Sequence, residues 1–234
     1  IGAGRRNLIF NGDMRIAQRG TSTTRSAGGS LYCLDRFNLG NNTGSAVLTA
    51  SQQSDGPVTT DGAFKYYVQV NVDTADTNGG NNEFAAINYY VEANDWEPLG
   101  YGAAGAKQAT LSFYHAHSIS GTYCLSIRNS GGGSNRNYLV EYNQDQADVW
   151  QKTTVTLEGD TAGTWSSGTT AGIGILFAMT NGSTFQGSTT NQWFGGTYYH
   201  STPNQTSLTA TTNAKFRITG VQLEVGKVAT PFEH

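Results

Sequence analysis

Asn7-Leu8-Ile9-Phe10-Asn11-Gly12-Asp13-Met14 stands near the start of the sequence, and Ile218-Thr219-Gly220-Val221-Gln222-Leu223-Glu224-Val225-Gly226 near its close, followed by Ala229-Thr230-Pro231-Phe232-Glu233. Each stretch reads as a short apolar strand stopped by turn residues. Matched strands at the two ends predict that they pair and close one sandwich. Between them the period-2 pattern recurs and helical periodicity is almost absent. Tyr66, Val68, Val70 and Val72 alternate with Lys65, Tyr67, Gln69 and Asn71. Phe84–Glu92, Ala109–His117, Thr122–Ile127, Asn137–Tyr142, Trp150–Leu157, the Gly-spaced run through Ile173, Ile175 and Phe177, and Phe216–Val225 are further strand candidates. Ser118-Ile119-Ser120-Gly121 reads as a hairpin connection, and Asn94–Leu99 as the one place for a short helix. Roughly nine strands on a chain without Pro-rich or Ser-rich linkers predict a single all-β domain over residues 1–234, an antiparallel sandwich or barrel.

Composition agrees with that class. Charged residues make up 13% of the 234 residues and the net charge is -3, about half the charged fraction of an ordinary domain. Gly (30 residues), Thr, Ser and Asn take their place, so turns and hydroxyl-bearing strand faces supply the solubility. This is the balance of β-rich extracellular or virion proteins. Twelve Tyr and four Trp argue against disorder. There is no basic run for nucleic acid and no stretch of transmembrane length, so a soluble protein is expected. The sequence begins with Ile1, which suggests a piece of a longer polypeptide or a processed product. Cys33 and Cys124 both lie in apolar runs. A disulfide is open to them, but buried free thiols are the favoured reading.

The segments quoted above, taken in order, resemble the carboxy-terminal module of fibre and appendage proteins from tailed phages, many of them marine or cyanobacterial. Asn7–Met14 is similar to that module's first strand, Gln18-Arg19-Gly20-Thr21-Ser22 to its loop, and Leu34-Asp35-Arg36-Phe37 to a short element that follows. Thr110-Leu111-Ser112-Phe113 with Ser120-Gly121-Thr122-Tyr123 resembles its central hairpin. Trp150, Thr154-Val155-Thr156 and Gly159-Asp160-Thr161-Ala162-Gly163-Thr164-Trp165 resemble another signature, and residues 220–226 and 229–233 its end. The resemblance covers essentially the whole chain. It implies a jelly roll related to carbohydrate-binding modules and galactose-binding-like domains, carried on the virion as a tail fibre or other surface appendage. It further implies a homotrimer, contacts with other virion proteins, and a partner on the host envelope, a surface glycan or lipopolysaccharide. Related modules often hold a structural Ca²⁺ near the first and last strands. Asp13 and Glu224 are the oxygen donors left for it here, while Thr219-Gly220 stands where a carboxylate is wanted, so the balance is against the ion.

No catalytic pattern is present. There is neither a Gly-x-Ser-x-Gly elbow nor His-Glu-x-x-His, no carboxylate pair is indicated, and the repeats of elongated depolymerase β-helices are missing. The expectation is a non-enzyme without cofactor; the alternatives to an adhesion domain are a purely structural capsid or tail decoration and a bacterial carbohydrate-binding module appended to an enzyme. His115 and His117 lie two apart on one strand face, which reads as a polar face rather than as a metal site. Asp160–Trp165 reads as a turn with Trp165 plugging the sandwich edge. Sugars offer apolar C–H faces and many hydroxyls, which proteins meet with aromatic rings and planar amides. Three places carry that mixture: the face with Tyr67 and Gln69, the strand with Asn88 and Tyr90, and the loop with Gln192, Trp193, Tyr198 and Tyr199. For the strand residues, ligand contact and burial against a neighbouring subunit remain equal alternatives. The loop leans to ligand contact.

Overall fold

Alternation sets the two faces of the long strands. Val68, Val70 and Val72 are fully buried, Gln69 and Asn71 only partly. Ile173, Ile175 and Phe177 are buried in the same way. The computed structural model describes residues 6–131 and 135–233. Its strands are β1 (Ser22–Arg25), β2 (Gly29–Leu34), β3 (Phe37–Asn41), β4 (Val47–Gln53), β5 (Val58–Thr59), β6 (Gly62–Ala63), β7 (Tyr67–Thr74), β8 (Phe84–Glu92), β9 (Ala109–His115), β10 (Gly121–Asn129), β11 (Arg136–Gln144), β12 (Gln151–Leu157), β13 (Ala171–Asn181), β14 (Phe194–Gly195) and β15 (Lys215–Val225). A short helix α1 (Ala93–Trp96) runs into a 3-10 turn over Glu97–Leu99, where the sequence leaves room for a helix.

Two sheets face each other. One has six strands in the order β1-β4-β7-β15-β9-β12, the other seven in the order β14-β11-β10-β13-β8-β3-β2, and β5 and β6 form a separate ribbon. All named strands pair antiparallel. The fold is an antiparallel jelly-roll β-sandwich. One apolar cluster fills the space between the layers. Phe113 of β9 meets Phe177 of β13 across it, ring centroids 5.0 Å apart and edge to face.

The two ends of the chain do meet, though residues 7–14 are not a regular strand. The Leu8 N–H donates to the Leu223 carbonyl (2.8 Å), the Leu223 N–H to Asn7 Oδ1 (3.0 Å), and the Val221 N–H to the Gly12 carbonyl (3.0 Å). β15 is responsible for the irregularity. Its register slips between Thr219 and Gln222, where Gly220 has φ +59° and a Cβ would strike the Phe64 ring. β7 starts at Tyr67, opposite the first half of β15. The second half is therefore open on that side, and the opening segment lies along it.

Two expectations need correction. Ser118–Gly121 does not close a hairpin. β9 pairs with β12 and β15, while β10 pairs with β11 and β13 in the other sheet. The connection turns a sandwich corner instead, because both strands already have two partners each. His115 and His117 are not on a polar face either. Both are buried, in an end layer where His117 stacks on Phe216 at 4.0 Å. Cys33 and Cys124 are free, buried thiols. Burial pushes the Cys33 thiol up to about 12 and raises that of Cys124, so both stay protonated and unreactive at neutral pH.

Candidate functional site

On β10, Tyr123, Leu125 and Ile127 belong to the core, so Cys124, Ser126 and Arg128 face outward. Pairing across the sheet sets Asn38 beside Asn88, Asn88 beside Leu176, and both Tyr90 and Arg128 beside Gly174. The long segment between β13 and β15 folds back over part of this outer face. Asn137 donates to the Thr197 carbonyl (2.9 Å), Ser126 Oγ to the Tyr199 carbonyl (2.6 Å), and the Thr206 N–H to the Thr122 carbonyl (2.7 Å). Thr202 Oγ1 also donates to Glu141. These anchors lie over β10 and β11, and the covering segment reaches β8 only at its first residue, Phe84, against Phe185 and His200.

The uncovered part is a cleft of about 370 Å³. Asn38, Asn88, Tyr90, Leu176 and Arg128 form its floor, and Phe84, Phe185, Tyr198 and His200 form one wall. Tyr90 and Tyr198 are each 37% exposed, so each presents a ring while staying anchored. A Cβ at Gly174 would lie 3.2 Å from the Tyr90 ring, so a larger residue would displace the ring. His200 is braced by Phe84 (4.7 Å, edge to face) and Phe185 (4.7 Å, stacked). Burial and then the Arg128 charge hold its pKa down to about 3, so it is neutral at pH 7. Its Nε2 lies 3.3 Å from Arg128 Nη1 and accepts from that guanidinium, which has no other role to offer it. Among the described residues, no Asp or Glu lines the cleft.

The eight residues singled out from the sequence do not converge. Asn88, Tyr90 and Tyr198 line the cleft together. Tyr67 and Gln69 sit on the other sheet. Tyr67 is buried, its ring edge-on to Trp150 at 5.2 Å, and Gln69 Oε1 accepts from Arg217 Nε (2.9 Å). Tyr199 packs on Phe194 at 5.7 Å, and Gln192 is exposed outside the cleft. Trp193 faces inward at one end of the sandwich. Its indole N–H donates to the Glu158 carbonyl (2.7 Å), and its ring meets Tyr138, Trp165 and Tyr101 at 5.3, 5.3 and 5.7 Å. Trp193→Ala is therefore expected to lower unfolding free energy by about 2–3 kcal/mol and to leave the cleft intact, as urea titration with a ligand-binding assay will report. Arg128, His200 and Asn38 escape a reading of the sequence. A lone Arg among the outward residues of an otherwise apolar strand is the one signal they leave.

Neither proposed metal position has a suitable donor set. Glu224 is buried, and its carboxylate receives Arg6 Nε (3.1 Å), Gln222 Nε2 (2.8 Å), the Thr230 N–H (3.0 Å) and Thr230 Oγ1 (2.5 Å). These are cationic or hydrogen-bearing groups, whereas Ca²⁺ wants six or so free oxygens. Asp13 is paired with Arg15 (3.0 Å). The His115 ring nitrogens lie 2.9 Å from Gln144 Oε1 and Thr153 Oγ1. Among the described residues, no three or more His, Cys, Asp or Glu are grouped to hold a metal. Asp160 does cap a turn, accepting from the Ala162 N–H (3.1 Å), and Trp165 packs at the sandwich end. It also takes a two-pronged ion pair from Arg136, 2.7 Å on each oxygen. No helix among the described residues is long and apolar enough to cross a membrane.

No family model matches the sequence, and no curated protein matches it. Solved structures do resemble it in chain course. The enzymatically active domain of tailspike protein 4 from bacteriophage CBA120 is 11% identical with a TM-score of 0.48; the likeness takes in 94% of this chain and only 21% of that one. A xylan-binding domain from Paenibacillus barcinonensis is 11% identical over 97% of this chain and 100% of its own, TM-score 0.43. A family 11 carbohydrate-binding module from Clostridium thermocellum, solved with a mixed-linked tetrasaccharide, is 11% identical over 90% and 98%, TM-score 0.39.

Proposed function

We propose that this chain is a non-enzymatic adhesion module that binds a glycan along the outer face of the seven-stranded sheet. The observation that carries this reading is the cleft itself. Two half-open tyrosine rings stand over a floor of paired asparagines, Asn38 and Asn88. Neither amide has a hydrogen-bond partner among the described residues; Asn38 is half-buried and Asn88 only 7% exposed, so Asn38 is the more open of the two to sugar hydroxyls. Without a carboxylate in the cleft, the acid and base of glycoside hydrolysis have no counterpart there. No cofactor is part of this reading.

The setting we propose is a tailed-phage fibre or other virion appendage, working as a homotrimer against host-surface glycan or lipopolysaccharide. Its support is the ordered resemblance of the segments at residues 7–14, 34–37, 150–165 and 218–233. Phe10, Ile16, Leu31 and Tyr32 are 40–50% exposed, giving apolar surface for packing against other copies. Three weak sites on one fibre would raise avidity without any deeper pocket.

A glycan array with the purified protein tests the reading. Tyr90→Ala and Asn88→Ala are expected to lower affinity about tenfold each, with unfolding midpoints retained and Trp193→Ala still binding. Binding to no glycan, or binding indifferent to Tyr90 and Asn88, would return the domain to a structural role as a decoration or cap.

A further inference from the structure

Among the described residues, Arg128 is the only formally charged one lining the cleft. Its guanidinium lies over the Tyr198 ring, 4.5 Å from the centroid, and its stem rests above Gly174 beside Tyr90. One N–H goes to His200 Nε2. Among the described residues it has no other hydrogen-bond acceptor and no carboxylate partner. Elsewhere among the described residues, Arg6, Arg15, Arg36, Arg136 and Arg217 pair with acids, while Arg19 lies over the Tyr32 ring and Arg25 donates to the Gly28 carbonyl. A guanidinium fixed in place, with unused N–H donors in a planar fork, is suited to a two-oxygen anion. Tyr198 and His200 hold it without neutralising it, since one offers a ring face and the other an uncharged nitrogen.

Resting on the glycan reading above, we infer that the cleft selects an acidic saccharide, with Arg128 binding an oxyanion on the sugar while Tyr90 and the asparagines meet the ring and its hydroxyls. The oxyanion is the carboxylate of a hexuronate or a sulfate ester; the guanidinium fork fits both.

Isothermal titration with three matched sets of tetrasaccharides tests this: oligohexuronates, the same chains after chemical reduction of their carboxyls to neutral hexoses, and neutral tetrasaccharides carrying sulfate esters. The expected result is binding to an acidic set that falls tenfold or more on carboxyl reduction or desulfation, and that weakens as salt is raised. Arg128→Ala is expected to lose the preference for acidic over neutral chains, the ratio of the two affinities falling tenfold or more. Arg128→Lys, which keeps the charge and loses the fork, should fall between. The stronger of the hexuronate and sulfate responses identifies the anion. The matched ligands need no variant, so they decide the matter even if Arg128→Ala fails to fold. Equal affinity for acidic and neutral chains, abolished by Tyr90→Ala, overturns the charge assignment and keeps the glycan site. Binding to none of the sets overturns both.

Discussion

Stability is expected to fall by about 5 kcal/mol as the pH drops from 6.5 to 4, enough to unfold much of the population given that domains hold only about 5–15 kcal/mol in total. His115 and His200 supply that figure, and the buried His117 adds to it in the same direction. Burial holds the pKa of His115 down to about 4 against a partial rise from Gln144 and Asp145. His200 is held near 3 by burial and then by Arg128. His117 is lowered well below its usual value by burial, then by His115 and Arg217. In the unfolded chain all three take up a proton near pH 6.5, while in the fold they stay neutral to lower pH. Within that window the unfolded state binds more protons, so stability rises with pH and is lost on acidification. Each displaced pKa unit is worth about 1.4 kcal/mol. Urea midpoints at pH 7, 5.5 and 4.5 will show the decline. His115→Gln and His200→Phe should each flatten the curve by reducing the slope between pH 6.5 and 4. A midpoint independent of pH across that range would show that the folded histidines titrate like free ones.

Arg136→Ala is expected to cost about 3–5 kcal/mol. The side chains of Arg136 and Asp160 are only 16% and 2% exposed, and both carboxylate oxygens are taken by the guanidinium. The truncation strands a buried negative charge at the end of the sandwich, next to the Trp96, Tyr101, Trp165 and Trp193 cluster. The companion change separates this from lost packing. Arg136→Met with Asp160→Leu removes both charges and should recover most of the loss. Urea unfolding of the two variants measures the difference. A loss below about 1 kcal/mol in Arg136→Ala would mean the pair behaves like an ion pair in water.

Local patterns in the sequence carried β7 to β13 and β15, while β1 to β4, over residues 22–53, were not read as strands. Phe84–Glu92 is β8 as read, and Phe216–Val225 misses β15 by a single residue. The alternation through Val68, Val70 and Val72 correctly separates inside from outside. Assignment of strands to layers was not legible. A four-residue connection with Gly121 has the same composition whether it closes a hairpin or turns a corner, and only the partners of β9 and β10 distinguish the two. His115 and His117 show the same limit, since period 2 says they share a face but not which one.

The cleft was half legible for a related reason. Asn88 and Tyr90 stand out as polar and aromatic outward residues of one strand. Arg128, Asn38 and His200 join them only through pairings of β3, β8, β13 and β10 and through the fold-back of the segment after β13. Those neighbours are far apart in sequence. Trp193 misleads because an aromatic in a polar loop looks the same in the sequence whether it points at solvent or, as here, under the rim of the sandwich.

The Arg6 N–H donates to Glu233 Oε2 at 2.8 Å, so residues 6 and 233 sit side by side at one edge of the fold. Inserted into a longer protein, such a unit contributes almost nothing to contour length.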